Sequence, residues 1–303
     1  MKFIFIDNNP LIVKCWKHHY QVLSNIYKEY NFSSHHNIKF NFYNHTIEHM
    51  VQNYNFNNTG NTGKTSIVTP ANSLNYMGGG FDLHLLNAIL LGTNHTFKQL
   101  ENIIQNHQLQ KFQGYLVPNQ IYKINLPDLT GFEYKSSLVY QNWNLIEIIE
   151  IPTMVVPEKI HSISHLFDCI WNLMNNIDFT KEEEEEEEEK EEEEGGEENV
   201  LVLPGIGTGY GNLNEYESTK IMLFAIFLYN LSLRGKTTPT TRLDQLKKSL
   251  LILFFFNKDY RKLENLNDIE ELETNVISEY GKNLNLVNGT VMELEEVFKC
   301  IRW

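Results

Sequence analysis

The stretch VTPANSLNYMGGGFDLHLL, Val68 to Leu86, sets a strand-like apolar run before Asn72, then three consecutive glycines (Gly78, Gly79, Gly80), then Phe81-Asp82 and a helical pattern. Three glycines in a row cost backbone entropy and favour neither helix nor strand. A run of this kind belongs where something must come very close to the backbone. A second stretch repeats the arrangement. VLVLP (200–204) is a fully apolar strand pattern, followed by GIGTGYGN (205–212). Asn214 and Glu217 then have the spacing of a capping box, before an apolar helical pattern that runs to Gly235.

In α/β folds, ligands bind at the carboxyl ends of strands. Glycines there let backbone N–H groups point inward, and a helix N-terminus adds partial positive charge. Two such loops side by side make an anion cradle without a lysine or arginine, which suits a diphosphate.

The rest of the chain supplies the frame. KFIFI (2–6) reads as a short buried strand ending at Asp7, and Pro10 stands at a first helical position before apolar residues at helical spacing. Ser66–Thr69 and LIEIIEIP (145–152) read as strands, ISHLFDCIWNLM (163–174) as an amphipathic helix, and LLILFFF (250–256) as a further buried strand. One more helix is expected in the tail. Strands alternating with helices predict a three-layer α/β/α fold.

Composition sets the limits. No run of eighteen uncharged apolar residues occurs, which excludes a transmembrane helix, and the N-terminus reaches Asp7 too soon for a signal-peptide core. Three widely spaced cysteines without CxxC suggest neither disulfides nor zinc. The chain therefore reads as soluble and intracellular, cytoplasmic or nuclear. Its net charge is −14, but fourteen Glu and two Lys in residues 181–198 contribute −12 and leave −2 for the other 285 residues. That block self-repels and reads as a disordered, solvated insert, either a tolerated expansion or a dock for a basic protein. No Lys/Arg cluster supports nucleic-acid binding.

Two motifs are set aside. GNTGKTS (60–66) has only two residues between Gly60 and Gly63 and precedes its strand, unlike a P-loop. His161 and His165 have no carboxylate or cysteine at ligand spacing, so no metal or other cofactor is expected.

The two glycine stretches carry a family resemblance. VTPANSLNYMGGGFD is similar to the macro-domain signature, in which an apolar strand ends in an Asn-Ala-Ala-Asn-type tetrad followed by Gly-Gly-Gly-Val-Asp. VLVLPGIGTGYG resembles its Pro-Ala-Ile-Gly-Thr-Gly partner, and EIPTMVVP (150–157) with YESTKIMLFAIFLYN (216–230) resembles the fungal ADP-ribose-1''-phosphate phosphatase-like branch. The match runs through most of residues 2–256. It implies one macro-type domain over 1–303, with a mixed central sheet, the acidic insert at 181–198 and a helical extension from about 257.

The resemblance also implies an ADP-ribose site. Asp7 would accept a hydrogen bond from the adenine amino group, with Asn8 beside it, unless DNNP merely turns the chain. Gly78, Gly79, Gly80 and Phe81, with Gly205, Ile206, Gly207, Thr208, Gly209 and Tyr210, would cradle the diphosphate. Ala71 would also touch the ligand; Asn72 would hydrogen-bond the distal ribose, and Asp82 together with Asn72 would position water there as the catalytic pair, without a metal. Alternatively, Asp82 only favours its helix dipole. The implied activity is hydrolysis of a distal-ribose substituent, the 1''-phosphate first; the alternative is a module that binds ADP-ribose or mono-ADP-ribosylated protein without turnover. The chain departs from the family at Thr69 and Pro70 in the tetrad, at Gly211 where an aromatic is common, and at Glu150 where a histidine often stands. These departures weigh on catalysis more than on binding.

Overall fold

In the computed structural model, which describes residues 1–57, 62–160, 162–177, 179, 198–233, 242–262, 269–287 and 289–303, the KFIFI run forms β1 (Lys2–Asp7). Its four middle residues are buried on both faces, as a central strand of a covered sheet requires. The chain then enters α1 (Pro10–Glu29), with Pro10 in the first turn and the Asn9 side chain accepting the Leu11 amide at 3.0 Å. This is the cap and proline arrangement that starts a helix at lowest cost.

The remaining strands are β2 (Ser33–Ser34), β3 (Lys39–Asn44), β4 (Thr62–Asn72), β5 (Tyr122–Asn125), β6 (Leu145–Met154), β7 (Glu198–Leu203) and β8 (Leu231–Ser232). Six of the strands form one sheet in the order β3-β1-β7-β4-β6-β5, parallel throughout except for β5 against β6. Helices α2 (Ile47–Asn53), α3 (Gly80–Leu90), α4 (Phe97–Lys111) and α5 (Leu138–Trp143) cover one face around Ile4, Ile6, Ile67 and Ile148. Helices α1, α6 (Ile163–Asn176) and α7 (Glu215–Asn230) cover the other around Phe3, Phe5, Val68 and Ile149. The chain is a three-layer α/β/α fold with a mixed sheet, as the alternation of patterns predicts. Among the described residues no helix is long and apolar enough to cross a membrane.

Three expectations need correction. The run 250–256 is not a strand: it ends α8 (Arg242–Phe255), with Leu250, Leu251, Phe254 and Phe255 buried on one helical face. An unbroken apolar run has no strand alternation to distinguish it from a buried helix. Helix α7 stops at Asn230, short of Gly235, because Asn230 clamps both backbone groups of His36 and the chain turns into the β2–β8 pair. Gly235 itself lies outside the described residues. The acidic insert cannot reach 198, since Glu198 opens β7 and pairs with Lys39 of β3 at 3.1 Å. Residues 181–197 lie outside the described residues.

Beyond α8 the described residues of the tail hold three short helices where one was expected: α9 (Ile269–Asn275), α10 (Glu279–Lys282) and α11 (Leu294–Lys299). Phe255 of α8 and Phe298 of α11 both meet the Phe224 ring on the outer side of α7, a helix buried almost all round. Lys220 of α7 is 2% exposed and meets Glu293, the residue before α11, at 2.8 Å.

Candidate functional site

The carboxyl ends of β4, β6 and β7 open on one side of the sheet, and the glycine loops rise there. Asn72 ends β4 and ties down the turn after it. Its amide nitrogen donates to the Tyr76 carbonyl at 2.6 Å, and its oxygen accepts the Leu74 and Tyr76 amides at 3.2 Å each. Glu101 of α4 accepts the Met77 amide at 3.2 Å and is itself paired with Lys98 at 2.8 Å. The triple glycine is therefore held from both its strand and a neighbouring helix. Gly80 takes a left-handed φ of 59°, which glycine adopts without strain, and Gly79 caps α3 with no side-chain bond. The first-turn amides of α3 are thus left for another acceptor.

The second loop is fastened by Asp7. One carboxylate oxygen accepts the Asn9 amide at 2.8 Å, and the other accepts the Gly205 amide at 3.2 Å. Ser218 donates to the Ile206 carbonyl at 2.6 Å, and Ile160 donates through its amide to Gly211 at 3.0 Å. An added Cβ at Gly211 would sit 2.6 Å from the Gly207 carbonyl, so the family's aromatic has no room there. The adjacent Tyr210 is exposed, and its ring lies against Gly79 and Gly80 of the first loop. The loops meet through that ring.

Two cavities adjoin at Gly80 and Phe81. The first, of about 380 Å³, is bounded by the end of β4, both glycine loops, the end of β6 at Thr153 and Met154, and Val156 of the loop after it. The second, of about 290 Å³, is bounded by Asp7, Asn8 and the start of α2, with His45 and His84. No lysine or arginine lines either one.

Most of the expected residues gather here. Ala71, Asn72, Gly78, Gly79, Gly80, Phe81, Asp82, Gly205, Gly207, Gly209 and Tyr210 border the first cavity; Asp7 and Asn8 border the second. Ile206 and Thr208 border neither, because Ile206 is fully buried in the core below the loop and Thr208 lies between lining glycines. Tyr76, Thr153, His45 and His84 escaped the sequence reading. The β6–α6 loop had a partial signal in PTMVVP. Of the two histidines set aside, His165 donates to the Thr153 carbonyl at 2.8 Å, and His161 lies outside the described residues. Among the described residues no cluster of three His, Cys, Asp or Glu side chains could hold a metal ion.

Asp82 is only 5% exposed. The Thr69 hydroxyl donates to its Oδ1, so the residue that departs from the tetrad's first Asn grips the candidate catalytic carboxyl. Burial holds Asp82 well above the usual carboxylate range, and the nearby Glu150 carboxylate pushes the same way. Glu150 is wholly buried, and burial moves it up to about 7. Asp7 is also raised by burial, against the lowering effect of its two amide bonds.

The two buried carboxyls tie stability to pH. A carboxyl raised in the folded state holds a proton that the unfolded chain releases, so its stabilisation is complete below the unfolded value of about 4. It is lost as pH rises through the folded value, near 7 for Glu150. Thermal melts between pH 5 and 8 should show the wild type losing more stability than Glu150→Gln. An equal or opposite slope would contradict this.

No family model matches the chain, and no curated protein matches it. Six solved chains do. One is the macrodomain of Mycobacterium tuberculosis DarG, which is 14% identical, covers 53% of this chain and 80% of its own, and has a TM-score of 0.33. A likeness that low carries no argument about ligand or chemistry, and none of these comparisons singles out the fungal branch.

Proposed function

We propose that this chain binds an ADP-ribose-type ligand across the two cavities, with its diphosphate between the glycine loops. The observation that carries this reading is the seam: Gly79 and Gly80 lie against Tyr210 of the other loop, where both cavities share Gly80 and Phe81. With no lysine or arginine lining the cavities, an anion between the glycine loops would be met chiefly by backbone amides. The motif resemblance orients the ligand, with Asp7 and Asn8 at the adenine end and Asn72 at the distal ribose. Asp7 retains acceptor capacity after taking two amides, because a carboxylate offers about four lone-pair sites.

Beyond binding, we infer hydrolysis of a substituent on the distal ribose, the 1''-phosphate being the first choice. Asp82 would position and activate water, and loop amides would stabilise developing negative charge. Since burial favours the protonated form of Asp82, this role requires ionisation, and turnover should climb with pH. The second reading, binding without turnover, is favoured by the same burial and by the Thr69 bond that occupies Oδ1.

The test is calorimetric titration with ADP-ribose, ATP and NAD, beside single-turnover assays on ADP-ribose-1''-phosphate and mono-ADP-ribosylated protein. ADP-ribose should bind far more tightly than ATP or NAD; equal affinity for ATP would sink the ligand reading. Asp82→Ala should cut turnover by about a hundred-fold to ten-thousand-fold. Tight ADP-ribose binding with no turnover of either substrate by the wild type would leave the binding module.

A further inference from the structure

Glu150 borders neither cavity, yet its surroundings converge on Asp82. The register of β4 against β6 sets Thr69 beside Glu150. Thr69 donates to Asp82, so the threonine has a buried carboxyl on either side. From α4, Gln108 donates through Nε2 to Glu150 Oε2 at 2.8 Å. Asn75, held in the left-handed conformation at φ 53°, lies against the same carboxyl outside hydrogen-bond geometry. Glu150 Oε1, Gln108 Oε1 and both amide atoms of Asn75 are buried without partners. A proton on Glu150 Oε1 turns an orphaned acceptor into a donor; the Gln108 and Asn75 amides favour the ionised form, and burial outweighs both.

We propose that Glu150 is a positioning residue for Asp82: set on either side of Thr69, the two carboxyls resist joint ionisation, and Asp82 meets the first cavity as a hydrogen-bond donor. This rests on the reading that the cavity takes an ADP-ribose-type ligand. Two carboxylates cannot both ionise cheaply in a dry site. Burial raises both carboxyls, and a charge on Glu150 raises Asp82 further.

Other charged groups on the surrounding elements are engaged elsewhere. On α4, Glu101 holds the Met77 amide and Lys98; on α3, His84 meets Glu48 at 2.7 Å. Lys64 of β4 pairs with Glu147 of β6 at 2.6 Å. Tyr122 of β5, opposite Glu150 in register, accepts the Val117 amide at 2.7 Å. Lys111 and Lys123 are exposed.

A diphosphate is a dianion, so an ionised Asp82 at the cavity floor would repel it. ADP-ribose affinity, measured by calorimetry from pH 5.5 to 9, should hold steady at low pH and fall once Asp82 ionises. Glu150→Gln keeps the side-chain shape but removes the charge, so Asp82 should ionise sooner and the fall should move to lower pH. A Glu150→Gln effect of the same factor at every pH would make Glu150 merely structural and overturn the proposal.

A ligand-free arm separates the two readings. At pH 7 the infrared spectrum should contain a protonated-carboxyl stretch that Asp82→Asn removes in part; its absence from the wild type would overturn the proposal whatever the ligand. The band together with no ADP-ribose binding would support the carboxyl pair and reject the ligand reading.

Discussion

Gly205→Val is expected to weaken ADP-ribose binding by at least about a hundred-fold, or roughly 2.7 kcal/mol. A Cβ at this position would stand 2.6 Å from Asp7 Oδ2 and 3.1 Å from Ile12 Cδ1. Both atoms belong to packed, anchored side chains, so the loop must move away from β1. That movement breaks the Asp7–Gly205 bond and displaces the amides facing the first cavity. Overpacking of this kind typically costs about 1–3 kcal/mol of stability as well, so affinity should be measured below the lowered melting point. Gly209→Ala is the matching control, because its Cβ would meet nothing within 4 Å in the protein. It should fold like the wild type, and any affinity it loses reports the ligand's own approach to the loop. Wild-type affinity in Gly205→Val would remove the second loop from the binding site.

Phe298→Ala should lower unfolding free energy by about 3–5 kcal/mol, the range for removing a buried aromatic ring. Phe298 is 1% exposed in α11, with ring neighbours Tyr30 and Phe32 from the α1 end, Phe224 from α7 and Trp303. The tail is thus packed into the core behind the second loop's helix. Denaturant midpoints provide the measurement, and a loss under about 1 kcal/mol would mean that the tail is only loosely applied.

Much of the frame was legible because central strands of a covered sheet are apolar on both faces. KFIFI and VLVLP are such runs, and LIEIIEIP is one apart from Glu147 and Glu150. The edge strands were not: β3 mixes Phe40 and Phe42 with Lys39 and Asn41, and β5 is only four residues long. The misreading of 250–256 has the same origin, since a run apolar on both sides fits a buried helix as well as a buried strand. At the site, the glycines and Asp82 were visible because they are local patterns. The Thr69–Glu150 pairing was not, because it depends on how two strands eighty residues apart align.

The double grip of the Asp7 carboxylate, with its backbone carbonyl, makes one residue answerable to three parts of the molecule. Its oxygens take the amides that start α1 and the second glycine loop, while its own carbonyl accepts the Asn44 side chain at the end of β3 at 3.0 Å. The cavity it borders is not the one its loop encloses. A group that draws on Asp7 in the second cavity therefore shifts the wall of the first, and the two halves of the groove exchange free energy reciprocally. Fragments filling the halves separately would not bind as strangers; each would set the terms on which the other enters.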